Sequence, residues 1–132
     1  MTKVVLIRHG QTSWNRSRCI QGGNNDTVLD EEGKRQCRCL AERLKNENIK
    51  AVYSSPMSRA MGTAQWIADS HNLDVIEEPA FREMNCGALE GSETRDIGSR
   101  LQKLDSLTSF PYSLLEFFTA KFTLERSTKS PR

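Results

Sequence analysis

Arg8, His9 and Gly10 follow directly on an apolar run, and residues of these types can hold and attack a phosphate group. A neutral imidazole can attack phosphorus, and nearby guanidinium groups favour that neutral form while binding phosphate oxygens two at a time. Arg59 is the second candidate cation. Glu83 could protonate the departing alcohol and later accept a proton from water. Together these residues predict a phosphomonoester site with His9 as the nucleophile.

Neutral hydrogen-bond donors are available from a polar loop between residues 15 and 28. Asn15 and the backbone around Gln21 and Gly22 could contact the substrate, because glycine lets the main chain approach a ligand closely. Each of these residues taken alone has a simpler interpretation as a rim, turn or surface residue. The prediction therefore depends on their meeting in one place.

Three short segments, residues 3–8, 51–53 and 74–77, carry β-branched, aromatic or other apolar side chains and predict strands. The first is expected to be buried, with His9 at its carboxyl end. Ligands of open α/β sheets bind in the crevice outside the carboxyl ends of the strands. The position of His9 therefore suits a binding site.

Two amphipathic helices are predicted between these strands. Asp30 can cap the first, whose apolar side chains recur at i, i+3, i+4 and i+7. The second follows Ser54, Ser55 and Pro56 and carries Arg59 in its first turn. The alternation of strand and helix indicates an α/β fold with parallel strands and helices on the faces of the sheet. The two apolar stripes are Cys37, Leu40, Ala41 and Leu44, and Ala60, Met61, Ala64, Ile67 and Ala68.

The composition excludes several classes of function. A chain of 132 residues fits one domain, and 19 basic against 17 acidic residues give a net charge of +2, too small for a nucleic-acid binder. No apolar stretch approaches the roughly 20 residues of a membrane span, and the apolar run before Arg8 is too short for a signal peptide, so we expect a cytoplasmic protein. The four cysteines are scattered, which favours reduced thiols over a metal site or disulfides.

Several separate blocks of the sequence, in the right order, resemble the histidine phosphatase superfamily, also called the phosphoglycerate mutase-like family. The resemblance covers about three-quarters of the chain. The blocks are residues 6–12 with Trp14 and Asn15, Gln21 with Gly22, Leu29 with Gly33, residues 53–56 running to Arg59 and Ala60 with Thr63 and Ala64, and residues 81–83 leading to Gly87, Glu90 and Gly91.

This resemblance implies a three-layer α/β/α sandwich around a mainly parallel sheet, with no metal and no cofactor. It implies that His9 becomes phosphorylated and that Glu83 is the proton donor. The substrate-binding residues that it implies are Arg8, Asn15, Gln21, Gly22 and Arg59.

The resemblance ends in the last third of the chain. Members of this family carry a second pocket histidine in their second half, and nothing after Gly91 matches that block. His71 is expected to be a surface residue near the end of a helix, so the role is not transferred to it. We expect residues 1–97 to be the amino-terminal part of a histidine phosphatase domain, incomplete at the carboxyl terminus, and residues 98–132 to be a divergent tail rich in Phe, Ser and Thr.

Two interpretations of that tail stay open. It could be foreign to the fold in a truncated product, which the abrupt end of the motifs favours. Alternatively, a helix could cover the exposed sheet, because apolar residues recur at helical spacing. These residues are Leu114, Leu115, Phe118 and Phe122.

The sequence thus predicts a phosphatase that acts on a small phosphorylated metabolite through a phosphohistidine. A catalytically impaired fragment or phosphate-binding interaction module is the alternative from another class, with self-association through the tail left open. A phosphoglycerate mutase is a further alternative. The expected partner is a small phosphate ester, with neither nucleic acid nor membrane.

Overall fold

The computed structural model describes residues 3–96. The predicted tail at residues 98–132 and its candidate helix, with Leu114, Leu115, Phe118 and Phe122, lie outside the described residues. The chain divides into two units, Met1–Thr94 and Arg95–Arg132, and the first is described below. The elements of the described residues, in chain order, are α1 (Ser13–Arg16), α2 (Glu31–Leu44), β1 (Val52–Ser54), α3 (Ser58–Ser70) and β2 (Val75–Glu77), followed by 3-10 turns at Pro79–Phe81, Gly87–Leu89 and Thr94–Asp96.

The strands β1 and β2 pair in parallel, with Val52 beside Val75 and Ser54 beside Glu77. The helix α3 connects them and packs against both strands and against α2. The predicted strands near residues 51–53 and 74–77 are confirmed, shifted by one residue at most. The fold is therefore α/β with a parallel sheet, as the alternating pattern indicates.

The helix α2 begins at the cap that the sequence predicts. The Asp30 carboxylate accepts a hydrogen bond from the Gly33 N–H at 2.8 Å, which satisfies one of the free donors of the first turn. The buried side of α2 includes Cys37, Ala41 and Leu44, so the predicted stripe is confirmed, although Leu40 is only half-buried.

The prediction of a buried strand at residues 3–8 is wrong. These residues form no regular secondary structure, all of them are exposed, and Val4 and Leu6 keep 73% and 83% of their accessible surface. A β-branched run indicates a fit to a pleated surface, but a strand exists only where a neighbour pairs with its N–H and C=O groups. Within residues 3–96, β1 and β2 pair with each other, and no strand lies beside this segment.

The first turn of α3 is capped from a distant loop. Met57 occupies the N-cap position and makes no capping bond with its own side chain. Asp26 does this instead, because its Oδ1 accepts from the Ser58 N–H at 2.7 Å and its Oδ2 from the Ser58 hydroxyl at 2.6 Å. The loop that contains Asp26 is thus fixed to the start of α3.

The carboxyl end of α3 closes in a Schellman motif. Asn72 adopts φ 52° in the left-handed region, and the Leu73 N–H donates to the Ala68 carbonyl at 3.0 Å. This 6→1 bond satisfies a carbonyl that the end of the helix would otherwise leave free. Among residues 3–96, no helix has the length and apolar character needed to span a membrane.

Two glycines allow the chain after His9 to lie directly against α2. A Cβ at Gly33 would collide with the carbonyl oxygen of Gln11, and a Cβ at Gly10 would lie 2.7 Å from the Gly33 oxygen and 2.9 Å from Cys37 Sγ. Any larger side chain would push the two segments apart. The position of the loop at residues 10–11 is therefore set by contact with the first turns of α2.

Candidate active site

His9 is half-buried and its ring is held by the backbone of the next residue. Nδ1 lies 2.7 Å from the Gly10 carbonyl oxygen. Because a carbonyl can only accept a hydrogen bond, Nδ1 must carry the proton, and in the neutral ring Nε2 then carries the lone pair. Nε2 is therefore the nitrogen that can act as a nucleophile.

The surroundings of His9 favour the neutral ring. Burial lowers the pKa of His9, and the guanidinium groups of Arg59 and Arg8 lower it further. The hydrogen bond to Gly10 and the negative charge of Glu83 oppose this change, but the pKa remains below its ordinary value of 6.5. These surroundings consequently favour the neutral form of His9 around neutral pH.

His9 shares an open cavity of about 390 Å³ with Arg8, Gln11, Asn15 and Gln36. Three of the five lining residues, His9, Arg8 and Asn15, are predicted site residues, so the fold brings them together. Gln36 was missed, since it lies on α2 far from any motif in the sequence. Its Oε1 accepts from the Gln11 N–H at 3.0 Å, which links the helix to the loop after His9.

Arg59 lies in the first turn of α3, near the carboxyl end of β1, and only 3% of its surface is exposed. Its guanidinium donates to the Asn25 carbonyl at 3.1 Å and to the Gly22 carbonyl at 3.3 Å. Burial lowers the pKa of Arg59, and the carboxylates of Glu83, Asp26 and Glu90 oppose that shift. Because these two hydrogen bonds go to neutral carbonyls, they fix the guanidinium without neutralising its charge.

Glu83 is exposed and lies close enough for its charge to act on both His9 and Arg59. It follows the 3-10 turn at Pro79–Phe81, and its Oε1 accepts from the Met84 N–H at 3.0 Å. Two further bonds attach this loop to Gly23, whose N–H donates to the Met84 carbonyl at 2.9 Å and whose carbonyl accepts from Arg82 at 2.8 Å. The carboxylate is thus brought within electrostatic range of His9 and Arg59, although neither Glu83 nor Arg59 lines the cavity of His9.

The amide oxygens of Asn15 and Gln21 are used inside the protein. Asn15 Oδ1 accepts from the Thr12 N–H at 3.0 Å in the capping box of α1, and Gln21 Oε1 accepts from the hydroxyls of Thr12 and Thr27 at 3.0 and 2.7 Å. Their NH2 groups are the parts that could donate to a phosphate. Gln21 does not line the cavity with His9, and its side chain is connected to Asn15 through Thr12. Gly22 contacts the candidate site residues through its carbonyl, which accepts a hydrogen bond from Arg59.

Known proteins resemble this chain along most of its length. A family model described as "Histidine phosphatase superfamily (branch 1)" matches residues 4–112. The chain belongs to the histidine phosphatase superfamily. This membership confirms the resemblance that the sequence motifs indicate.

The curated relatives of this histidine phosphatase superfamily member include proteins named "Probable phosphoglycerate mutase GpmB" from Yersinia pestis and Yersinia pseudotuberculosis. Each is 43% identical to the chain over 90 residues, which is 68% of this chain and 41% of the relative. The chain thus spans about two-fifths of the length of these relatives.

Solved structures agree with that assignment. The phosphoserine phosphatase of Entamoeba histolytica, in complex with 3-phosphoglyceric acid, has a TM-score of 0.62 and 34% identity, covering 68% of this chain and 44% of that one. A mycobacterial glucosyl-3-phosphoglycerate phosphatase, complexed with VO3, has a TM-score of 0.66 and 30% identity, covering 74% and 49%.

His71, the second histidine of this superfamily member, lies outside the cavity of His9. His71 is the C-cap of α3, as its predicted place near the end of a helix requires, but it is half-buried rather than fully exposed. Its Nε2 has no hydrogen-bond partner among residues 3–96, and it does not line the cavity of His9. The same residues contain no cluster of three or more His, Cys, Asp or Glu that could hold a metal ion.

Proposed function

We propose that this chain carries the phosphomonoester site of a phosphatase that acts on a small phosphorylated metabolite through a phosphohistidine. The observation that carries this proposal is the geometry of His9, whose Nδ1–H is bound to Gly10 and whose pKa is lowered by burial and then by Arg59 and Arg8. A neutral imidazole with a fixed ring and two neighbouring cations fits attack on a bound phosphate.

In the first step, the lone pair on His9 Nε2 forms a bond to phosphorus while the bond from phosphorus to the ester oxygen breaks. Glu83, in its protonated form, gives a proton to the departing alkoxide, which leaves as the alcohol. In the second step, water attacks phosphorus, the phosphorus–nitrogen bond breaks, and Glu83 takes the proton from the water. Arg59 and Arg8 stabilise the charge on the phosphoryl oxygens in both steps.

The test is hydrolysis of an aryl phosphate together with intact-mass measurement of protein quenched without acid. The chain has two histidines, so His71→Asn is the matched control for His9→Asn. We expect released phenol and an acid-labile phosphoryl adduct for the natural chain and for His71→Asn, and neither for His9→Asn. Turnover in His9→Asn equal to that of the control would overturn the proposal.

The pH dependence gives a second test of the same proposal. His9 must be neutral to attack, and its pKa lies below 6.5. With an aryl phosphate whose phenolate leaves without a proton from Glu83, the rate limited by attack should therefore stay constant around neutrality and fall as the pH drops through that lowered pKa. A rate that rises on acidification with this substrate would contradict the neutral imidazole as the nucleophile.

A phosphoglycerate mutase is the second candidate, favoured by the 43% identity to the proteins named probable phosphoglycerate mutases. Such an enzyme returns the phosphoryl group from the histidine to a second hydroxyl rather than to water. Incubation with a monophosphoglycerate and a bisphosphorylated primer separates the two. Isomer exchange would support the mutase, and release of inorganic phosphate would support the phosphatase.

Binding of phosphate without turnover is the candidate from another class. The described residues bring one histidine to the cavity and leave residues 3–8 exposed, which favours a module of this kind. Gel filtration with light scattering would detect self-association, and inorganic phosphate titrated into a thermal melt would detect binding. A monomer that hydrolyses the aryl phosphate would exclude this candidate.

A further inference from the structure

Thr63 carries a buried hydroxyl in the middle of α3, with 4% of the residue exposed. Its Oγ1 accepts from the Gly10 N–H at 3.0 Å and from the Cys37 thiol at 3.5 Å, and it donates to the Arg59 carbonyl at 2.8 Å. A hydroxyl has one donor and two lone pairs. All three are therefore used, and each partner lies in a different segment of the chain.

One of these bonds holds the residue that orients the nucleophile. The carbonyl of Gly10 accepts from His9 Nδ1, while the N–H of Gly10 donates to Thr63. Glycine has more backbone freedom than any other residue, so both peptide groups of Gly10 need partners. The Gly10 carbonyl shares its peptide group with the Gln11 N–H, which donates to Gln36 Oε1 at 3.0 Å. The Gly10 N–H belongs to the peptide group that follows His9, so its bond to Thr63 fixes the main chain that carries the imidazole.

A second hydrogen bond connects Thr63 to Arg59, a proposed phosphate-binding residue. Thr63 lies one helical turn after Arg59, and its hydroxyl donates to the Arg59 carbonyl. The Arg59 side chain is separately held by the Gly22 and Asn25 carbonyls. The loop after His9 and the turn that carries Arg59 are consequently joined through a single oxygen atom.

We propose that Thr63 is a positioning residue for the reaction at His9: through Gly10 it fixes the orientation of the imidazole relative to Arg59. The inference rests on the proposed function of His9 as the nucleophile. Thr63 does not line the cavity, so it acts on the site only through these two neighbours.

The matched variants are Thr63→Val, which keeps the shape and removes the hydroxyl, and Thr63→Ser, which keeps the hydroxyl. The first readout is the nitrogen NMR spectrum of the two imidazoles in the free protein, which needs no turnover. We expect the natural chain and Thr63→Ser to show His9 with its proton on Nδ1. Thr63→Val should show a mixture of tautomers at His9, with the His71 signals unchanged as an internal control.

The second readout is hydrolysis of the aryl phosphate. Misplacing a reacting group by about 1 Å costs on the order of 100-fold in rate, so kcat of Thr63→Val should fall about 10- to 100-fold with KM little changed. Thr63→Ser should recover most of the loss. A folded Thr63→Val with the natural His9 tautomer and natural kcat would overturn the proposal.

A third measurement needs no variant and so remains informative if Thr63→Val fails to fold. The Gly10 amide proton should exchange with solvent far more slowly than the amides of the exposed residues 3–8. Exchange as fast as theirs would overturn the proposal. If the natural chain shows neither turnover nor adduct, the proposed function fails, while the tautomer and exchange data still decide whether Thr63 orients His9.

Discussion

Replacing Asp26 with alanine tests whether a residue far from α3 in the sequence determines the stability of its first turn. Asp26 accepts two short hydrogen bonds from Ser58, at 2.7 Å from the N–H and 2.6 Å from the hydroxyl. Removing a capping side chain costs about 0.5–2 kcal/mol, and losing a negative charge at a helix N-terminus costs a further 0.3–1 kcal/mol or so at an exposed position. We expect Asp26→Ala to lower the free energy of unfolding by about 1–2 kcal/mol.

The loss should depend on pH in a defined direction. Partial burial raises the pKa of Asp26, but the hydrogen bonds from Ser58 outweigh it and the pKa is lowered overall. A carboxyl with a lowered folded-state pKa stabilises the protein above its unfolded pKa of about 4 and loses that contribution as the pH falls through the folded value. The effect of Asp26→Ala should therefore be full at neutral pH and should shrink as the pH falls below about 4 towards the lowered folded-state pKa.

Urea unfolding followed by circular dichroism, at neutral pH and at a pH below 4, measures the free energy of unfolding of both proteins. Asp69→Ala is the matched control, because Asp69 is an exposed aspartate in the last turn of the same helix, where a negative charge opposes the helix dipole. It should change stability by less than about 0.5 kcal/mol. Equal losses for the two variants, or a loss for Asp26→Ala that does not change with pH, would refute the capping role.

Two further variants test backbone features of the fold. Gly33→Ala should destabilise the protein by about 1–3 kcal/mol in urea unfolding, because the new Cβ collides with the Gln11 carbonyl. Helix propensity alone predicts a gain in stability instead, and such a gain would contradict the close approach of residues 10–11 to α2. Asn72→Ala should lower the melting temperature by a few degrees at most, because alanine lacks the short polar side chain that helps asparagine to adopt a left-handed φ. Asn72→Gly should preserve or raise the melting temperature, since glycine has no Cβ, and the reverse order would contradict the Schellman geometry.

The helices and the paired strands could be predicted because their signals are local. Asp30 and the spacing of Cys37, Ala41 and Leu44 define α2 within its own residues. The stripe on α3 is confirmed at Ala64, Ile67 and Ala68, whereas Ala60 and Met61 are only half-buried. The meeting of His9 with Arg8 and Asn15 was also predictable, because all three lie within one short segment. Their roles in phosphate transfer stay predictions.

The features that the sequence analysis missed depend on distant partners. Asp26 caps a helix that begins 32 residues later, and Thr63 receives the N–H of a glycine 53 residues earlier. No periodic pattern of residue types along the sequence indicates a hydrogen bond between residues so far apart. The prediction of a buried strand at residues 3–8 failed for the same reason. The composition of this segment suits a strand, but pairing depends on which other segment lies beside it.

The separation between Gly10 and Thr63 has a consequence for how the polypeptide is made. At a translation rate of about 5–20 residues per second, the 53 residues between donor and acceptor take roughly 3–10 s to synthesise. During that interval the Gly10 N–H has no acceptor, and the main chain that carries His9 is not yet fixed. A slow codon between positions 10 and 63 would lengthen that interval.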